Sequence, residues 1–211
     1  MKNKCSDLSQ IFGMHAQSYV EKYFSVDRYA NALELFYSKA KPEGHYMDLA
    51  CGPGNLTHHL LEHLPEAEVL GTDIADEMLV HARQINPKAR FQNLACADIR
   101  SIQQSFDGIL CGFVIPYLAK EEVEKLIADC ARILNEDGLI LISGNLGDYE
   151  QSQKQNASTG EGPQLYSFNY SMDFLEKTLR SNGFRVLKSF EYHHSYDGFE
   201  AEEMVVIAEK Q

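Results

Sequence analysis

The residues best placed to do chemistry lie in and around Asp48-Leu-Ala-Cys-Gly-Pro-Gly54. Gly52 and Gly54 flank a proline in a sharp turn, and their missing side chains let a ligand approach the backbone closely. Apolar residues at helical spacing follow from Asn55 through Leu56, Leu60, Leu61 and Leu64, so free N–H groups of a helix start face whatever the turn holds. Asp73 stands about 20 residues beyond the glycines, the spacing at which an acid holds ribose hydroxyls in nucleotide-binding folds. Asp48, Asp73 and Asp98 fall at or just after the ends of three successive strand-like runs. In a parallel sheet those ends share one edge, where ligands bind. The chemistry these types suit is the grip of a nucleoside-bearing cofactor.

The elements that must position them alternate strand and helix. Tyr46–Cys51, Val69–Asp73, Arg90–Leu94 and Phe106–Phe113 read as strands, with helices over 55–64 and 76–85 between them. Lys120–Leu134 is the clearest helix, with Val123, Leu126, Ile127, Cys130 and Leu134 on one face. Asn135–Gly138 turns the chain into a buried strand, Leu139–Ile142. Ser171 caps a helix through Leu179, and Phe184–Tyr192 and Met204–Glu209 are strands joined by an Asp197-Gly198 hairpin turn that carries His193 and His194. Residues 144–165 are polar and aperiodic, a long loop that is either a lid or substrate-selecting insert or plain disorder. Tyr166, Phe168 and Tyr170 then re-enter the fold and suit a pocket wall. Residues 6–40 read as helical and must pack on the sheet's edge or over its ligand end.

With these residues in place the chain resembles the class I (Rossmann-like) S-adenosylmethionine-dependent methyltransferases, of the small-molecule type with a methyltransferase type 11/25-like domain, over nearly its whole length. Asp48–Gly54 is similar to the first motif, with Ala50 where many members have glycine. Asp73-Ile-Ala-Asp-Glu-Met78 is similar to the second; the resemblance implies that Asp73 grips the ribose while Ile74 and Met78 flank the adenine. Ala97-Asp98-Ile99 is similar to the third, with Asp98 near the adenine amino group. Leu110–Leu118 takes the fourth-motif position, with Pro116 and Tyr117 where many members have histidines. The aromatic-rich run Phe12–Phe24 resembles an N-terminal helix that closes over the cofactor's methionine end, which makes Tyr19 a contact or an ordinary core tyrosine.

The resemblance implies a three-layer α/β sandwich: a seven-stranded, mostly parallel sheet with an antiparallel last strand. It implies one domain over 1–211, divided into a helical cap (1–44), a cofactor-binding half (45–143) and a substrate-side loop with a terminal hairpin (144–211). It implies S-adenosyl-L-methionine as cofactor and S-adenosyl-L-homocysteine as product. The cofactor set is Tyr19, Asp48, Ala50, Cys51, Gly52, Gly54, Asp73, Ile74, Met78, Ala97, Asp98, Ile99 and Cys111. Methyl transfer from a sulfonium needs no metal, and positioning with exclusion of water supplies much of the rate. No catalytic side chain is therefore fixed; Tyr19, Tyr117, His15 and the histidines at 193–194 are candidates for a general base.

Composition narrows the partners. The 211 residues suit one well-buried domain, and no apolar run approaches a membrane span. A net charge of −12 without clustered lysine or arginine counts against nucleic acid. Five cysteines, with no C-x-x-C pair, argue against zinc or a disulfide framework and fit a reducing cytoplasm, as does a start with no signal peptide. His59 and His63 are four apart, but no Glu follows His59 as a zinc protease motif requires. The expected acceptor is a small molecule. Two other readings stay open: a cofactor-binding module without turnover, and a nicotinamide-dependent dehydrogenase, whose fingerprint wants glycine or alanine where Thr57 stands. The acceptor's identity and the oligomeric state are not written in the sequence.

Overall fold

The computed structural model describes residues 2–156, 164–196 and 199–211. Four central strands, β1 (His45–Leu49), β2 (Glu68–Asp73), β3 (Arg90–Asn93) and β4 (Phe106–Cys111), run parallel, joined by β5 (Leu134–Leu146). Two more pairs follow: β6 (Gln153–Asn156) with β7 (Gln164–Ser167), and β8 (Asn169–Tyr170) alongside the end of β5. The long strands β9 (Phe184–Tyr196) and β10 (Phe199–Lys210) are antiparallel, and β10 enters the sheet antiparallel to β5. The main sheet thus runs β3-β2-β1-β4-β5-β10-β9, the seven strands expected, with two-residue β8 as an added pairing. Strand order reverses between β1 and β4, and the crevice outside their carboxyl ends is where such sheets hold ligands.

Side-chain alternation explains the three layers. Along β5, Leu139 and Leu141 face one side of the sheet while Ile140 and Ile142 face the other. On β10, Val205 and Ile207 join the first pair, and Met204, Val206 and Ala208 the second. Such strands read as continuous apolar runs because helices cover both faces. The helices α3 (Ala30–Lys39) and α4 (Asn55–His63) cover the first side through Leu33, Phe36 and Leu60. The second is covered by α6 (Lys120–Ile133) and α7 (Met172–Ser181), through Val123, Ile127, Leu175 and Leu179. Between them in sequence, α5 (Asp76–Ile85) packs on β2 and β3. Glu122 of α6 accepts the Ala119 N–H (2.7 Å), and Ser171 accepts the Phe174 N–H at the start of α7.

Three expectations change. The turn at Asn135–Gly138 is an irregularity inside one 13-residue strand, where Asp137 takes φ 61° and the register to β4 shifts. Residues 144–165 are not simply irregular, since β6 and β7 pair across them; residues 157–163 lie outside the described residues. The Asp197-Gly198 turn also lies outside them, and His193 and His194 belong to β9 itself.

The N-terminal segment breaks into α1 (Lys2–Met14) and α2 (Ala16–Tyr23). Of its two possible places it takes the ligand end of the sheet. Ser9 Oγ donates to the carbonyl of Ile74, just past β2, and Phe12 meets the Tyr117 ring edge-on at 5.3 Å. Among the described residues no helix is long and apolar enough to cross a membrane.

Candidate functional site

A cleft opens at the carboxyl ends of β1 and β4, under α2, with about 590 Å³ of empty space counting its mouth. Its floor is the turn after β1. Ala50 and Gly52 take positive φ (54° and 52°), and Gly54 takes φ 83° as the residue before α4. A Cβ on Gly52 would meet nothing within 4 Å, so the turn leaves free space against bare backbone. Gly54 is different: a Cβ there would lie 2.6 Å from Asn86 Nδ2, which donates to the Gly54 carbonyl, and 3.3 Å from the Ala82 backbone. Gly54→Ala therefore combines a left-handed penalty of about 1–2 kcal/mol with a clash. Thermal unfolding should show a loss of at least about 4 °C.

Two acids hold the turn. Asp48 lies within β1, on the α4 side of the sheet, and its Oδ2 accepts both the N–H (3.0 Å) and the hydroxyl (2.6 Å) of Thr57 in the first turn of α4. Burial pushes its pKa up to about 7 against the pull of these two bonds. Asp73 ends β2, with Oδ2 accepting from Gly52 N–H and Oδ1 from Ala75 N–H, both at 2.9 Å. Burial raises its pKa also, opposed by those backbone donors.

The walls are aromatic and apolar. Tyr19 of α2 lines the cleft, with its ring against Phe12 and Tyr23. Phe113, at φ 53°, is held by its N–H to Ser143 Oγ (3.0 Å) and packs on Tyr29. Asn55 Nδ2 ties α4 to the Tyr23 carbonyl, closing α2 over the turn. The Tyr29 hydroxyl donates to Glu203 of β10, whose other oxygen lies 3.5 Å from His194.

The structure brings Tyr19, Asp48, Ala50, Cys51 and Gly52 to this cleft, with Gly54 just below as the N-cap of α4. Other candidates lie along the adjoining edge rather than in its wall. Met78 packs with Ala75 and Ala16, beneath Phe12 and Tyr19. Ile74 offers its carbonyl to Ser9 and Asn93. Ala97 and Asp98 are exposed on a short 3-10 turn, Ile99 is buried in the core behind it, and Cys111 is buried at the end of β4. Burial pushes the Cys111 thiol far up, which keeps it protonated.

Of the base candidates, His15 sits in the α1–α2 break and only Tyr19 touches the cleft. Burial raises Tyr19 well above the usual phenol range and Tyr117 to about 12. Both phenols are therefore protonated at neutral pH. His193 is exposed beside Glu202. Sequence reasoning missed Tyr29, Asn55, Ser143 and Val205 as cleft residues and Glu203 as their support. Helical spacing marked Tyr29 only as a face residue, and no local pattern joins it to a strand 174 positions away. Among the described residues, no cluster of three or more His, Cys, Asp or Glu is set to hold a metal.

A family model described as a methyltransferase domain matches residues 47–138. A trans-aconitate 2-methyltransferase of Variovorax paradoxus is 43% identical over 67 residues, 31% of this chain and 26% of that protein. The Escherichia coli enzyme of that name is 31% identical over 123 residues, 57% of this chain and 47% of that one. These matches thus span about half or less of the relatives' own length. Among solved structures, an S-adenosylmethionine-dependent methyltransferase from Clostridium acetobutylicum superposes with TM-score 0.72 at 17% identity, over 93% of this chain and 98% of that one. The magnesium protoporphyrin IX methyltransferase of Synechocystis with bound SAH gives TM-score 0.66 at 18% identity, over 88% and 82%. At such identities the likeness is one of fold.

Proposed function

From the premise that this chain carries a methyltransferase domain over residues 47–138 on the class I, Rossmann-like fold, we propose that it is an S-adenosylmethionine-dependent methyltransferase acting on a small molecule. The observation that carries the reading is the pairing of a side-chain-free turn at Gly52 with the Asp73 carboxylate bonded to its N–H. Each Asp73 oxygen keeps a further lone pair, which suits vicinal ribose hydroxyls. The residues present therefore fit the cofactor. Ala50, Cys51 and Gly52 would hold its amino-acid end from backbone groups, and Ile74 and Met78 would flank its base with Asp98 at the rim. Tyr19 would cover it. Bound there, the cofactor would supply a methyl already activated on its sulfonium sulfur, open to attack by an acceptor lone pair with the thioether as leaving group.

The chain's own work is positional. Asn55 and the Phe12–Tyr19–Tyr23 cluster hold α2 over the turn and exclude water. Ser143 fixes Phe113, and Glu203 fixes Tyr29, so the walls facing an acceptor are rigid before it arrives. We place the protein in the cytoplasm, on its composition and cysteine usage, with no nucleic-acid partner, on its charge of −12. Residues 1–44 act as the cap, 45–143 as the cofactor half and 144–211 as the substrate side.

Calorimetric titration with S-adenosylmethionine, S-adenosylhomocysteine and NAD tests the reading. Saturable binding of the first two is expected. Binding of NAD instead, or of none, overturns it, and methyl acceptors that yield S-adenosylhomocysteine separate an enzyme from a binding module.

A further inference from the structure

Resting on the methyltransferase reading, we propose that the acceptor is an uncharged or cationic molecule with a flat or apolar body, of the aromatic amine or phenol class, and that polycarboxylates are excluded. The cleft's composition carries this. Apart from the turn that the cofactor would occupy, the wall is mostly apolar and aromatic, with Val26, Tyr29, Leu33, Phe113, Leu141 and Val205, and its polar side chains, Asn55 and Ser143, are uncharged. Among the described residues no lysine, arginine or histidine lines the cleft, while Asp48 does and Glu203 stands directly behind Tyr29.

Arg28 adjoins the wall residue Tyr29, and it is engaged. Its guanidinium lies 5.9 Å from the Tyr29 ring centroid and 2.9 Å from His194 Nε2, in the cluster where Glu203 supplies the opposite charge. A carboxylate entering the cleft would shed water with no cation in the wall to replace it. A tricarboxylate such as trans-aconitate multiplies that penalty. An aromatic ring finds offset or edge-on partners in Tyr29 and Phe113, whose centroids are 5.7 Å apart at 43°. A cationic amine gains in addition from the Tyr29 face and the Glu203 carboxylate.

The test is calorimetric titration of the protein saturated with S-adenosylhomocysteine, using tyramine, 4-methylphenol and trans-aconitate as probes. Tyramine is expected to bind at least tenfold tighter than trans-aconitate, with 4-methylphenol between them. Glu203→Gln keeps an oxygen to accept the Tyr29 hydroxyl and removes the charge. It should weaken tyramine at least threefold and leave 4-methylphenol unchanged. Equal or tighter binding of trans-aconitate overturns the proposal, as does binding of none of the three up to 1 mM, roughly the weak end of specific affinity, or an equal effect of Glu203→Gln on both aromatic probes. Failure to bind S-adenosylhomocysteine at the outset would instead sink the methyltransferase reading. The same three titrations on the free protein would then still decide the charge preference of the cleft.

Discussion

Asp73→Ala should lower affinity for S-adenosylmethionine by at least about 100-fold while leaving most of the fold intact. The carboxylate does two jobs at once. It accepts the N–H groups of Gly52 and Ala75 at 2.9 Å each, fixing the turn after β1 against the start of α5. In the proposed complex it also receives the ribose hydroxyls. Hydrogen bonds to a charged group contribute about 1.5–3 kcal/mol each, and about 1.4 kcal/mol is a factor of ten, so losing two ligand bonds alone accounts for the 100-fold. The orphaned Gly52 and Ala75 N–H groups add a cost of about 1–3 kcal/mol each, which should appear as a lower melting temperature. Asp73→Asn keeps one acceptor oxygen, so its affinity should fall between the two. Calorimetry and thermal unfolding of the three proteins check this. An affinity for Asp73→Ala within threefold of the parent would remove Asp73 from the cofactor site.

How far the sequence disclosed this arrangement depends on the range of the interaction. The turn at Gly52–Gly54, the acid at Asp73 and the helix starting at Asn55 all lie in one 26-residue β-α-β stretch (48–73), where spacing is geometry. The strand β5 was legible because burial on both faces leaves an unbroken apolar run, Leu139–Ile142. What depends on a partner strand or on the surrounding sheet was not. Gln153–Asn156 has no apolar alternation, and only its antiparallel partner at Gln164–Ser167 makes it a strand. Asn135–Gly138 has turn chemistry, and β5 absorbs it by placing Asp137 at positive φ rather than ending. Asp48 read as a motif acid at a strand's end. It lies inside β1, and its partner is Thr57, nine positions on, at the first turn of α4. Tyr29 and Glu203 meet only because β10 threads back beside β5, next to the cleft.

Asp48 also gives the binding a pH dependence. Both Thr57 donors go to Oδ2, so Oδ1 is the place for a proton, and burial holds the pair's carboxyl pKa at about 7 against 3.8 for the exposed group. The folded pKa is raised. The folded protein therefore binds more protons than the unfolded chain between pH 3.8 and about 7. Across that window stability falls as pH rises, by a total on the order of a few kcal/mol for a shift of this size. The stabilisation is complete below the unfolded pKa and is gone above the folded one. A cation placed in the cleft Asp48 lines favours the carboxylate and pulls its pKa down. Binding of S-adenosylmethionine, a sulfonium, should thus release a proton near and below pH 7. Its affinity should climb by up to about tenfold per pH unit below pH 7 and level off above it. Calorimetry in two buffers of different ionisation enthalpy reads the released proton directly. Asp48→Asn, which keeps an oxygen for Thr57 and removes the titration, should flatten both the binding and the stability profiles; a proton release that survives this change would assign it to another group.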